Sequence, residues 1–211
     1  MLSPRLARYE GAPGSRVLIC TACKERGWHG DAIARVLEAH GELAGRDRLS
    51  SLREHLGWRD RLRPWLFATG SALAPQLSAV NMSWGAVNEW TTQAAYGRLA
   101  AKAGHSVLTE LLRRIMRQEG RHIDFYAGQA RRMLSVSSKA RQLARFALRR
   151  AWAPVGSGVM PDVEVAFLVR HLFGDTDGVA TARRVDRQVD RLPGLDGLHL
   201  LERAAGSSLT A

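Results

Sequence analysis

Three residues in this chain of 211 have the types and spacing needed to grip a cation. Leu108, Leu112, Ile115, Glu119, His122, Tyr126, Gln129 and Met133 follow one another at steps of four and three, the rhythm of a helix seam that faces a neighbour. Glu119 and His122 interrupt that apolar seam one turn apart, where an unpaired carboxylate or imidazole would cost several kcal/mol. A second seam, Met82, Gly85, Glu89, Thr92, Tyr96 and Leu99, keeps the same rhythm, with small Gly85 and Ala86 a turn before Glu89. Between the two lies Ala103-Gly104-His105, a Gly stop signal that predicts a tight turn and an antiparallel pair of helices. Glu89 and Glu119 stand at nearly equal distances from that turn, so their carboxylates meet at one level. A Glu from one helix and Glu-x-x-His from its partner make half of a di-iron carboxylate site in a four-helix bundle. Iron suits hard carboxylate oxygens and a borderline imidazole, with positions left open for dioxygen. The metal-free alternative is a buried hydrogen-bonded cluster closed by a flanking cation such as Arg121. Tyr96 and Tyr126, also on the seams, are candidates to donate to the carboxylates or simply to pack.

The elements that must hold these groups are helical throughout. Ala, Leu, Arg, Glu and Gln dominate and no alternating β-branched run is sustained, which predicts an all-α protein. Helices are expected over about 18–44, 47–68, 76–103, 106–134, 137–152, 161–173 and 177–191. A loose N-terminal arm covers 1–17 and a weakly structured tail 193–211, leaving the helical bundle at 18–192. The turn Pro154 to Pro161 and the pair Pro193-Gly194 punctuate the second half.

With 45% hydrophobic and 24% charged residues, whole-length disorder and fibrous repeats are excluded. The longest apolar runs, such as Val165 to Val169, fall far short of the roughly 20 residues that span a bilayer. No secretory leader is visible, and Cys20 and Cys23 form a single CxxC, so the expected compartment is cytoplasmic. That pair could open a zinc site with His29 and His40, but small buried cysteines explain it as well. The formal charge is +11, from 28 Arg and 3 Lys, which favours anionic partners. No acidic residue lies between Asp124 and Asp162, while seven cations do. Among them Arg141, Arg145 and Arg149 recur every four residues on an amphipathic helix, as a docking face or a solvated one. No nucleic-acid signature accompanies the charge.

The residues around the seams resemble the acyl-acyl-carrier-protein desaturases, a family built on a ferritin-like bundle. Asn88-Glu-Trp-Thr-Thr-Gln-Ala-Ala-Tyr96 is similar to that family's later Glu-bearing helix, and Gln118-Glu-Gly-Arg-His122 to its second ExxH helix. Val155 to Pro161 and Asp190 to Leu198 are similar to segments after the bundle, and Thr21 to Asp31 to the first ExxH helix, with Glu25 and His29 as its ligands. The likeness spans roughly 21–203 and is sharpest over 88–126. Two departures accompany it: Glu25 and His29 are four apart where the family has three, and only about twenty residues precede them, too few for the family's earliest ligand helix. The resemblance implies a shortened or divergent di-iron oxidoreductase with Glu25, His29, Glu89, Glu119 and His122 as iron ligands, acting on fatty acyl chains. It further implies acyl carrier protein as partner, a ferredoxin-type electron donor, and a homodimer that would complete the bundle. The alternative is a non-catalytic ferritin-like scaffold whose basic face meets an acidic protein or a membrane surface.

Overall fold

The computed structural model describes residues 28–42, 75–158 and 160–209. The chain divides into two units, Met1–Ala74 and Pro75–Ala211. In the first, helix α1 covers 28–39; the expected arm 1–17, the helix over 47–68, Glu25 and the CxxC lie outside the described residues. The second unit carries six helices: α2 (Pro75–Ala103), α3 (Ser106–Val136), α4 (Ser138–Ala151), α5 (Asp162–Phe173), α6 (Thr176–Asp190) and α7 (Leu200–Leu209). Among the described residues there is no strand, only an isolated bridge between Ser157 and Met160. The protein is an all-α helical bundle, as its composition predicts.

Each boundary has a local cause. Pro75 opens α2, where its missing N–H costs nothing. Gly104 takes φ +59° between α2 and α3, a conformation that side chains with a Cβ avoid. His105 caps α3, its Nδ1 accepting the Leu108 N–H at 3.1 Å, and the Thr109 hydroxyl donates back to the Ala100 carbonyl at 3.2 Å. Ser137, in extended backbone, both ends α3 and caps α4 by accepting the Ala140 N–H. Asp175 does the same for α6, accepting from Gly178 at 2.7 Å.

The central element is α2, which touches α3, α4, α5 and α6. A core of Val165, Val169, Leu172, Phe173, Ala182, Val185, Leu201 and Ala205 joins α5, α6 and α7, and Trp90, Ala94, Leu99 and Trp152 pack against it. Trp90 and Trp152 therefore fill the core edge. Arg98, with a side chain only 11% exposed, ties the layers together: its Nε donates to the Leu172 carbonyl and its terminal nitrogen to Asp175, which Lys102 also holds at 2.7 Å.

The tail differs from expectation. Residues 200–209 form α7 rather than loose chain. The buried Asp186 carboxylate on α6 accepts the N–H groups of Leu201 and Glu202 at 3.1 and 3.0 Å, satisfying donors that a helix start otherwise leaves open. Leu200, Leu201 and Ala205 are buried, so tertiary packing supplies what local propensity lacks.

Candidate metal centre

The hairpin of α2 and α3 makes the site. Glu89 stands 14 residues before Ala103 and Glu119 13 after Ser106, and the antiparallel helices bring the two to one level with His122. All three are buried, at 4%, 3% and 2% exposure. One ligand atom from each lies within 4.8 Å of the other two. Glu119 Oε2 and His122 Nδ1 are 2.5 Å apart, so these two donors, one turn apart on one helix, already point into the same space.

That donor set fits a metal ion. Two atoms bound at about 2.1 Å lie no more than about 4.2 Å apart across the ion, so closure asks only a few tenths of an ångström of each side chain. Two carboxylates and one imidazole are the oxygen and nitrogen donors that divalent transition metals take. The buried cluster of Glu89, Glu119 and His122 can hold a metal ion. Arg121, the cation of the metal-free alternative, is exposed.

Close approach of the helices depends on Gly85. A Cβ there would lie 2.5 Å from Tyr126 Cδ1 and 2.7 Å from Cε1. Gly85 is one turn before Glu89 and Tyr126 one turn after His122, so the glycine cradles the tyrosine ring directly beside the cluster. Phe125 meets that ring edge-on, with centroids 5.4 Å apart. Tyr96, the other seam tyrosine, is half-buried two turns beyond Glu89. His29 is buried in α1 of the first unit.

Two features escaped the sequence. Gln93, one turn past Glu89, donates to the Met116 carbonyl at 3.2 Å, bridging the hairpin beside the cluster. Next to that bridge opens a cavity of about 480 Å³ between α2, α3 and α6, with Trp90, Ala94, Gly97, Ala101, Met116 and Val185 among its lining. The i,i+4 spacing of Gln93 from Glu89 is the one sequence signal for the first; nothing in the sequence marks the second. Asn88, the neighbour of Glu89, accepts from the Trp152 indole at 3.0 Å.

Asp186, His199 and Glu202 also bring ligand atoms within 4.8 Å of one another. There Asp186 is engaged with the start of α7, and Glu202 with Arg183 at 2.9 Å and His199 at 3.0 Å, which accounts for the grouping as a helix anchor. Burial pushes the Asp186 carboxyl above the usual carboxylate range, against the opposing pull of the Glu202 and Leu201 N–H groups.

Of the basic residues of α4, the three spaced every four residues divide. Arg141 donates to the Leu134 carbonyl at 2.8 Å, and Arg145 to the Gly194 and Asp196 carbonyls at 3.1 and 2.7 Å. Both fasten the fold, while Arg149 is exposed. No described helix is long and apolar enough to cross a membrane. No family model, curated protein or solved structure matches this chain.

Proposed function

We propose that this protein is an iron-dependent oxidoreductase of the acyl-acyl-carrier-protein desaturase kind, with Glu89, Glu119 and His122 as iron ligands. The observation that supports this most is the convergence of two carboxylates and an imidazole, all buried, within 4.8 Å. The chemistry that iron supplies when bound is dioxygen reduction coupled to removal of hydrogens from a hydrocarbon chain. The chain's own residues do the rest. Glu89 and Glu119 provide anionic oxygen donors, and His122 an imidazole nitrogen. The buried hairpin keeps bulk water from the donors.

The cavity beside the Gln93–Met116 bridge offers a mostly apolar space, one turn from Glu89 and from Glu119, suited to a fatty acyl chain. Acyl carrier protein and a ferredoxin-type donor are both acidic, and the +11 charge would steer either toward the surface. Three ligands are fewer than two irons need. A second copy in a homodimer is the candidate to complete the set.

The test is to load the protein anaerobically with ferrous iron, count metal per chain, and record its optical bands beside Glu119→Ala. Close to two irons per chain or per dimer is expected, with affinity in the variant down roughly a hundredfold or more. A wild type that takes no iron, and whose stability the metal does not change, would sink the proposal and leave the non-catalytic scaffold.

A further inference from the structure

On α4 the cations that remain exposed form one stripe. Lys139, Gln142, Phe146, Arg149 and Arg150 are exposed and fall on the side opposite buried Ala140, Ala144 and Leu148, as steps of three and four require. Phe146 stands in the middle, 64% exposed. Lys139, Arg149 and Arg150 make no ion pair among the described residues, and no acid lies nearby in sequence to neutralise them. A similar stripe occurs on α5: Val163 and Phe167, 79% and 64% exposed, with Arg170 and His171 beside them. There the His171 ring stacks on Phe167 with centroids 5.8 Å apart. Trp152, just past the end of α4, packs on the core that α5, α6 and α7 share.

We propose that the α4 stripe docks on an anionic bilayer surface. Its apolar member projects singly from an exposed helix face, and long basic side chains flank it. A lipid headgroup layer satisfies both parts at once: the phenyl ring enters the acyl boundary while the cations hold phosphates. A nucleic-acid duplex would use the charge and leave Phe146 in water, and one isolated ring is not the row of stacking aromatics on which single strands bind. An acidic protein would need a cleft for the ring, which makes it the competing outcome below. The docking is independent of iron, since no residue of the stripe belongs to the metal cluster.

Co-sedimentation of the full chain with phosphatidylcholine vesicles, with and without phosphatidylglycerol, tests this, with poly-glutamate as a soluble acidic probe. Binding is expected only to vesicles containing phosphatidylglycerol. Phe146→Ser should weaken it about tenfold at unchanged charge, and Arg149→Glu with Arg150→Glu about thirtyfold or more. A charge-matched control, Arg113→Glu with Arg187→Glu, at exposed positions on α3 and α6, should weaken it far less. Circular dichroism verifies that each variant keeps its helices. The proposal is overturned if Phe146→Ser binds like wild type, or if the control loses as much as the α4 variant. It is equally overturned if vesicles are ignored while poly-glutamate is held through Arg149 and Arg150, which would assign the stripe to an acidic protein.

Discussion

Replacing Gly85 with alanine decides whether α2 and α3 approach as closely as the metal centre requires. In an ordinary helix interior Gly→Ala stabilises by roughly 1 kcal/mol. Here the new methyl would sit 2.5, 2.7 and 2.9 Å from Cδ1, Cε1 and Cγ of Tyr126, where ordinary carbon contacts are about 3.5–4.0 Å. The ring or the helix must therefore retreat by about 1 Å, and overpacking of this kind costs about 1–3 kcal/mol. The balance is a net loss of about 1 kcal/mol, a fall in Tm of roughly 2–4 °C for a chain of this size. Urea and thermal unfolding followed by circular dichroism measure it. In a Tyr126→Ala background the obstacle is gone, so the same substitution should become stabilising, and the double-mutant cycle should return a coupling of about 1–3 kcal/mol. Metal affinity should fall about tenfold in Gly85→Ala, because the displaced ring lies one turn from His122. If Gly85→Ala alone raises Tm, and Tyr126→Ala leaves that gain unchanged, the helices do not pack as described and the carboxylates do not converge.

Other outcomes follow from the same contacts. Arg145→Ala should cost about 1–2 kcal/mol in urea unfolding, because it strips the Gly194 and Asp196 carbonyls of a charged donor; a neutral result would return Arg145 to the solvated surface. Hydrogen bonds from Lys102 and from the Gly178 N–H, with Arg98 nearby, hold the Asp175 carboxyl down at about 2, below its ordinary 3.8. That contribution is complete above the unfolded value and is lost as pH falls through the folded one, so native stability should drop between about pH 4 and pH 2. Asp175→Asn should flatten that drop. Asp186 has the opposite sign: burial raises its pKa, so its contribution is greatest below the unfolded value and is lost as pH rises through the folded one. A pH series of melts should show that slope in wild type and its disappearance in Asp186→Asn.

The hairpin and its triad were legible because their signals are local. Periodicity put Glu89, Glu119 and His122 on seams, Gly104 marked the turn, and equal arms set the level. Gly85 was visible as a small residue, but the ring it cradles required coordinates. That Arg141 and Arg145 also bond to backbone carbonyls was not legible, because a charge pattern records only that a cation is present. The carbonyls that claim Arg145 lie 49 and 51 residues away, beyond any helical period. Helix α7 was missed for a related reason: Gly206, Ser207 and Ser208 are poor helix formers, while the acceptor for its first N–H groups is Asp186, on another helix. The cavity has no sequence signal because it is bounded by residues from three helices.

The cluster of Glu89, Glu119 and His122 spans 34 consecutive residues, 89 to 122, and is governed by counting outward from one turn. Deleting a single residue between Glu89 and Ala103, or between Ser106 and Glu119, would rotate one carboxylate by about 100° and lower it by about 1.5 Å relative to its counterpart. Changes of length outside residues 89–122 would leave that alignment alone. The two stretches of helix flanking Gly104 are therefore where this protein can least tolerate insertion, even though much of their outer surface faces water.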